Sequence, residues 1–475
     1  MASVMFAAFD LTRNSLPCGE GTAIFLNRHD AAEVLKKSGK SGEAMDVARF
    51  RDHLYVIKRG GEAILYDVNR VTTYACNEIE AHLLGDAKNA IAGASERLDR
   101  LLKLSTSLAN CGLQAPYSGH PNSLFLNLSH ACNLKCAYCY SSGCLVDDAP
   151  RFMGRDEVMA SVEYLLQGIN PGEAASITFA GGEPLLNFRA IKAAVGLTHR
   201  RQREKGVSIQ YRILTNGTIM DAELLRFILA HGIWIQISLD GPPETHDRLR
   251  RAHDGSGTFD KVERTIRFLK ENGYPRFSVR STVCHGNSDL SKITRFMEGK
   301  GLKDIYLRPV IAGPGESVRL TEQDVSKVCA FYNKASKRLV EDGAAELPED
   351  FSVYVNRLTL GLKTKRHCGA GRDLLVVTPG GAFYPCPSLA GDPRYRLGTL
   401  ADGLDRESFE NLSVDEKPKC RQCWARNLCG GGCVAQAAKT TGDLRDPDPL
   451  ECKIIKAKIA GAISIYHRRK ETVPV

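Results

Sequence analysis

His130-Ala131-Cys132-Asn133-Leu134-Lys135-Cys136-Ala137-Tyr138-Cys139-Tyr140 decides how the rest of the chain is read. Cys132, Cys136 and Cys139 follow the spacing C-x3-C-x2-C. Three thiolates on one short loop hold three irons of a four-iron cluster and leave the fourth iron open to another ligand. The same side chains also suit a zinc loop or three free thiols, so the flanking sequence has to decide.

Working outward, Ser123-Leu124-Phe125-Leu126-Asn127-Leu128 alternates as a strand and runs straight into the loop. Further strand-like runs are expected at 176–180, 208–214, 233–239, 277–283 and 304–310. Helical patterns fall between them, near 155–168, 187–202, 221–230, 258–272, 288–299 and 321–342. Alternation of this kind predicts an α/β fold with a parallel sheet, read as an open, partial (β/α)6 barrel. Such folds carry their chemistry at the C-terminal ends of the strands.

The polar motifs fall at those ends. Phe179-Ala180-Gly181-Gly182-Glu183-Pro184 closes the second strand. Gly181 and Gly182 let backbone approach a ligand closely, and Glu183 offers a carboxylate to an ammonium. Asn216 in Leu214-Thr215-Asn216-Gly217-Thr218 and Ser238 in Ile237-Ser238-Leu239-Asp240-Gly241-Pro242 present small polar groups suited to a ribose or a carboxylate. Asp240 is the candidate acid/base. Each of these is alternatively a plain strand-end turn.

Together these stretches resemble the radical S-adenosylmethionine (SAM) superfamily, down to the aromatic Tyr138 before the last cysteine of the loop. The resemblance implies a partial (β/α)6 barrel over 120–345 and a [4Fe–4S] cluster on Cys132, Cys136 and Cys139. It implies that SAM chelates the open iron and is cleaved by one electron to methionine and a 5′-deoxyadenosyl radical. Tyr138, Gly181, Gly182, Glu183, Asn216, Ser238 and Arg250 become the candidate SAM contacts, Arg250 for the carboxylate. A solvated helix face is the alternative for Arg250. Arg280, Thr282 and Arg308, in the last two strands, are weaker cavity candidates.

From Arg366 onward cysteines crowd in: Cys368, Cys386, Cys420, Cys423, Cys429, Cys433 and Cys452, with a C-x2-C-x5-C-x3-C core. This segment, 366–475, resembles the SPASM extension of radical SAM enzymes. It ends in a helical tail expected near 452–468. The resemblance implies two auxiliary [4Fe–4S] clusters, making three in all. Cys420, Cys423, Cys429 and Cys452 would hold the distal one; Cys368, Cys386 and Cys433 would hold the nearer one, a ligand short. A substrate thiolate, a water, Asp373, or one of Cys18, Cys76, Cys111, Cys144, Cys284 and Cys329 would complete it. For those six cysteines the alternative is a small buried apolar side chain. A zinc site is the alternative for the core alone.

Residues 1–115 read more weakly. Runs at 53–58 and 63–67 about Arg59-Gly60-Gly61 predict a hairpin, a third strand is expected at 71–75, and helices near 29–39, 77–84 and 89–109. The arrangement resembles the small α+β peptide-recognition domains of peptide-modifying radical SAM enzymes, with a structural extension as the alternative.

Composition fits. At 475 residues the chain has room for two or three domains, and 43% hydrophobic with 25% charged residues is ordinary for a globular protein. No apolar run reaches the ~18 residues of a membrane span, and no signal peptide is read at the N-terminus. A cytoplasmic protein is expected, in which sixteen cysteines argue for metal ligands over disulfides. Net charge is +9, unclustered, which suits an acidic partner and not nucleic acid.

For the reaction, the resemblance looks closest to thioether-forming peptide maturases, first the one acting on the small subunit of quinohaemoprotein amine dehydrogenase and second those acting on six-cysteine peptides. The partners implied are a cysteine-containing peptide or small subunit and a ferredoxin or flavodoxin donor. Asp240 would take the thiol proton. Anaerobic sulfatase maturases carry an Asp where this chain has Pro387, which counts against formylglycine formation. A non-catalytic iron–sulfur scaffold has no need of the Gly-Gly-Glu-Pro segment.

Overall fold

The computed structural model describes residues 46–51, 54–59, 62–69, 71–75, 119–140 and 152–472. The helices expected near 29–39, 77–84 and 89–109 lie outside the described residues, as do Cys18, Cys76, Cys111 and Cys144.

Four antiparallel strands come first: β1 (Asp46–Arg51), β2 (Leu54–Arg59), β3 (Glu62–Asp67) and β4 (Thr72–Ala75), paired in that order. The last three match the expected runs. The first was not expected, since Asp46, Arg49 and Arg51 break up its apolar pattern. The sheet seats on the cysteine-rich segment at the other end of the chain. Tyr55 donates its hydroxyl to the Gln422 carbonyl at 2.9 Å, Asn427 donates to the Val68 carbonyl at 2.8 Å, and Tyr66 meets Trp424 edge-on.

Ten further strands follow as β5 (Ser123–Ser129), β6 (Leu134–Cys136), β7 (Ala174–Gly181), β8 (Ser208–Thr215), β9 (Trp234–Ser238), β10 (Arg250–Ala252), β11 (Phe277–Val283), β12 (Ile305–Pro309), β13 (Leu374–Val377) and β14 (Phe383–Tyr384), before a last short pair at Gly398–Thr399 and Gly403–Leu404. Eight of them form one mostly parallel sheet in the order β12-β11-β9-β8-β7-β5-β13-β14, while β6 and β10 pair as a separate antiparallel ribbon. The six strands read from the sequence are all there and parallel, each followed by a helix. The sheet is open, with β12 and β14 as its edges. Its helix-facing side is apolar: Ile209, Tyr211 and Ile213 of β8 are buried while Gln210 and Arg212 between them are exposed. A closed barrel would pack those alternate positions as interior layers.

Local chemistry fixes where the strands begin. Gly206 and Gly232 take left-handed conformations (φ 66° and 59°) and stop their helices two residues before β8 and β9 start. Asp221 and Thr321 cap the next helix starts, accepting from Leu224 N and Asp324 N. Several helices were not read from the sequence, among them Pro243–Leu249 and Glu349–Thr359. The second carries Phe351, Tyr354, Val355 and Leu358 inward at helical spacing, so its signal was present.

The C-terminal segment does not stand apart from the sheet. β13 runs parallel to β5, with Leu374 opposite Ser123 and Val377 opposite Leu126. The tail is a helix, Pro449–Thr472, packed on helix Glu322–Glu341; a Cβ on Gly461 would lie 2.6 Å from Ser336 Oγ, so the two backbones approach closely there.

Candidate active site

The cluster loop is held from three sides. Gly182 N donates to the Ser129 carbonyl at 2.7 Å and Glu183 N to the Ala131 carbonyl at 2.9 Å, so the Gly-Gly-Glu segment lies along the loop. Side chains do not fit there. A Cβ on Gly181 would sit 2.3 Å from Asn127 Oδ1, and one on Gly182 would sit 2.2 Å from the Ala131 carbonyl oxygen. On the second side the β6–β10 ribbon sets Cys136 opposite Arg250. On the third, Asn216 donates its side-chain amide to Asn133 Oδ1 at 2.8 Å and reaches Cys132 Sγ at 3.8 Å.

Glu183 turns inward. It is fully buried; Oε1 accepts from Leu185 N and the Thr215 hydroxyl, and Oε2 accepts from Asn216 N. Burial raises its carboxyl to about 7. Its carboxylate therefore ties two strand ends together, where the sequence suggested an ammonium partner. Asn216 is likewise engaged, accepting from Thr218 N and Thr218 Oγ1.

A second network sits beneath the loop. Tyr138 donates its hydroxyl to Asp240 Oδ2 and accepts from Arg250 Nη1 at 2.7 Å. Asp240 Oδ1 accepts from Thr282 N at 2.9 Å. Asp240 is fully buried, and burial raises its carboxyl. As placed, it holds Tyr138 and the end of β11 rather than facing open space. Asp240 N donates to His246 Nδ1 at 3.3 Å, and His246 Nε2 lies 3.1 Å from Thr258 Oγ1, whose proton goes to the Arg250 carbonyl. His246 must then carry its proton on Nε2 and be neutral; burial lowers its pKa to about 3. Ser238 lies opposite Arg280 in the register of β9 and β11.

Above the ends of β11 and β12 opens a cavity of about 540 Å³. Arg280 and Arg308 line it from the sheet, and Cys368, Cys386, Cys433 and Glu451 line it from the C-terminal segment. Arg308 is paired with Glu349 at 2.8 Å and Asp350 at 3.6 Å. The Arg280 guanidinium has no ion pair or hydrogen bond among the described residues, and burial lowers its pKa.

The candidate cysteines separate into three neighbourhoods. Cys132 has Cys136 and Cys139 beside it, and burial raises its thiol to about 11. Cys433 has Cys386 and Cys368 beside it, and burial with Glu451 raises it well above the usual thiol range. Cys452 has Cys429 and Cys420 beside it, and Cys429 has Cys423; burial raises Cys429 and Cys452 to about 12. Among the described residues no three Cys, His, Asp or Glu side chains converge on a point where a single metal ion would sit. A four-iron cluster asks for wider spacing, since each thiolate binds a different iron. All-thiol donor sets of this kind are what a four-iron cluster takes. Beside Cys136, Arg250 Nε is a buried donor without a partner, a place for an anionic group of a bound ligand.

Some residues were not foreseen. Glu451 and His367 each precede a cysteine already singled out, Cys452 and Cys368. Lys417 is buried among Cys420, Cys429 and Cys368 and donates to the Gly431 carbonyl at 2.8 Å. Cys284 is core, packed with Leu249, Val310 and Ala312.

The geometry agrees with what comparison with known proteins finds. Residues 126–297 match the Radical SAM superfamily. The chain is 28% identical over 327 residues to a cysteine-type anaerobic sulfatase-maturating enzyme of Clostridium perfringens, covering 64% of this chain and 86% of that one. It is 27% identical over 355 residues to the mycofactocin maturase MftC of Mycolicibacterium smegmatis, covering 72% and 83%. Among solved structures, native anSMEcpe with bound AdoMet superposes with a TM-score of 0.63 at 23% identity, over 74% of this chain and 100% of that one. Streptococcus suis SuiB bound to S-adenosylmethionine gives 0.50 at 13% identity, over 86% and 99%. The α/β sheet over residues 126–297 is therefore similar to radical SAM domains. The superfamily matched over 126–297 implies a [4Fe–4S] cluster and SAM, and these two relatives are named as maturing enzymes. Among the described residues no helix is long and apolar enough to cross a membrane.

Proposed function

We propose that this enzyme forms thioether cross-links within a partner peptide, joining a cysteine sulfur to a carbon of another residue. The observation that carries the reading is the cavity above β11 and β12, where Cys368, Cys386 and Cys433 line one wall without a fourth cysteine among the described residues. Bound there, an auxiliary cluster would have an iron free for a substrate thiolate. Cys132, Cys136 and Cys139 would hold a cluster that, when bound, would supply the electron for SAM cleavage; one peptide hydrogen would leave with the SAM-derived fragment, and the thiol proton and remaining electron would go to a base and an auxiliary cluster.

The chain's own residues supply position. Gly181 and Gly182 hold the cluster loop against the second strand end. Asn216 fixes Cys132 from the side. Tyr138, Asp240 and Arg250 form one hydrogen-bonded network, and Ser238 and Arg250 are among the residues that would contact SAM. Arg280 offers the cavity a cation that attracts an acidic group of the peptide. In this reading residues 1–115 present the peptide, 120–345 carry the radical chemistry, and 366–475 hold the distal cluster on Cys420, Cys423, Cys429 and Cys452 and the nearer one beside the peptide. A cytoplasmic ferredoxin or flavodoxin is the electron donor.

Formylglycine formation is the second reading. The 28% identity to a cysteine-type sulfatase-maturating enzyme favours it. Pro387 in the cavity wall, in place of a carboxylate, weighs against it. The two separate by mass spectrometry on a partner peptide after anaerobic turnover with SAM and dithionite. Thioether formation removes two hydrogens per site and blocks alkylation of one cysteine. Replacement of a cysteine by an aldehyde-bearing residue favours the second reading, and SAM cleavage absent from a fully loaded enzyme would refute both.

A further inference from the structure

The cavity wall offers Cys368, Cys386 and Cys433, three ligands where a four-iron cluster takes four. Among the described residues, the candidates for the fourth differ in where they lie. Asp373 gives its carboxylate to Arg372 at 3.1 Å and does not line the cavity. Cys284 is enclosed by Leu249, Val310 and Ala312, and Cys329 sits on helix Glu322–Glu341; neither lines the cavity.

Glu451 does line it. Its Oε2 accepts from Cys433 N at 3.1 Å, which anchors the carboxylate directly beside a cavity thiol. Its other oxygen has no protein partner among the described residues. Both Cys368 and Cys433 have Glu451 as an electrostatic neighbour.

We propose that the Glu451 carboxylate is the fourth protein ligand of the nearer auxiliary cluster, completing Cys368, Cys386 and Cys433. The proposal rests on reading those three thiols as a cluster site. A carboxylate oxygen is a harder donor than a thiolate and binds iron–sulfur iron less tightly. It closes the site at rest and yields to an incoming peptide thiolate, so the iron is protected until substrate arrives. The competing ligand is His367, whose Nδ1 donates to the Cys429 carbonyl at 3.1 Å and leaves Nε2 as a lone pair.

The test uses the full chain with Cys132, Cys136 and Cys139 changed to Ala, so that only auxiliary clusters contribute. After anaerobic reconstitution with iron and sulfide, iron is counted and electron paramagnetic resonance spectra are recorded before and after mild oxidation. Glu451→Gln keeps an acceptor for Cys433 N but removes the anionic ligand. It should release one iron on oxidation and raise the three-iron signal several-fold over the parent. Glu451→Cys should abolish that signal. A Glu451→Gln spectrum matching the parent, or the same signal arising from His367→Gln instead, would overturn the assignment. A parent holding iron for fewer than two clusters would sink the cluster reading itself, and the assignment with it.

Discussion

Arg250 donates to the Tyr138 hydroxyl at 2.7 Å, so the residue after helix Pro243–Leu249 is locked to the aromatic that precedes the last cysteine of the cluster loop. The same hydroxyl serves Asp240. Tyr138→Phe leaves a buried carboxylate and a buried guanidinium without their shared partner. Leaving such groups unsatisfied costs about 1–3 kcal/mol. A lower midpoint in urea, with the SAM dissociation constant raised in the loaded protein, is the expected pair of results.

His246 is buried and neutral, its pKa lowered by burial from 6.5 to about 3. A base whose folded pKa is depressed stabilises the fold above its unfolded pKa. That stability is lost as pH falls from about 6.5 toward the folded value. The melting temperature of the wild type should therefore drop more steeply between pH 7 and 5 than that of His246→Asn, which has nothing to protonate. Parallel curves would argue against the neutral tautomer.

Gly182→Ala should loosen the loop, because its Cβ would fall 2.2 Å from the Ala131 carbonyl oxygen. Overpacking of this kind costs about 1–3 kcal/mol. Reconstituted iron should fall by roughly four atoms per chain, one cluster's worth. Gly196→Ala is the control: nothing lies within 4 Å of that Cβ, and it sits in helix Phe188–Lys205, where Ala is favoured.

Cysteine variants should divide by neighbourhood. Cys386→Ser and Cys423→Ser are each expected to lower reconstituted iron by about one cluster, roughly four atoms. Cys284→Ser should leave iron unchanged while lowering stability, since it places a hydroxyl among Leu249, Val310 and Ala312.

Arg280 is the test of what the cavity receives. Charge-assisted hydrogen bonds contribute about 1.5–3 kcal/mol, so Arg280→Gln should raise the peptide KM by about 10- to 100-fold with kcat little changed. Equal loss in both parameters would assign Arg280 to the chemistry instead of to binding.

Much of this was legible in the sequence. The six parallel strands announce themselves because each alternates or runs apolar between helical stretches, and β11 falls at 277–283 as read. The close backbone approach at Gly181 and Gly182 was legible because paired glycines at a strand end leave room for it, and the structure fills that room with the loop after β5. Side-chain direction was not. Glu183 and Asn216 bond to protein because two adjacent strand ends must be tied, a demand set by tertiary packing. The partnership of β13 with β5 was hidden as well: Leu374-Leu375-Val376-Val377 is too short to reveal its neighbour across some 250 residues.

That partnership has a consequence for taking the molecule apart. β5 leads directly into the cluster loop, and β13 covers its outer backbone edge; Asp373 alone accepts from Asn122 N and Ser123 N. Cutting the chain before residue 366 would strip that edge and expose a row of unpaired amides on the very strand that feeds the loop, an invitation to strand-to-strand aggregation. The cysteine-rich segment is therefore a fastener for the sheet, and residues up to 365 should be expressible alone only if a substitute strand is supplied in its place.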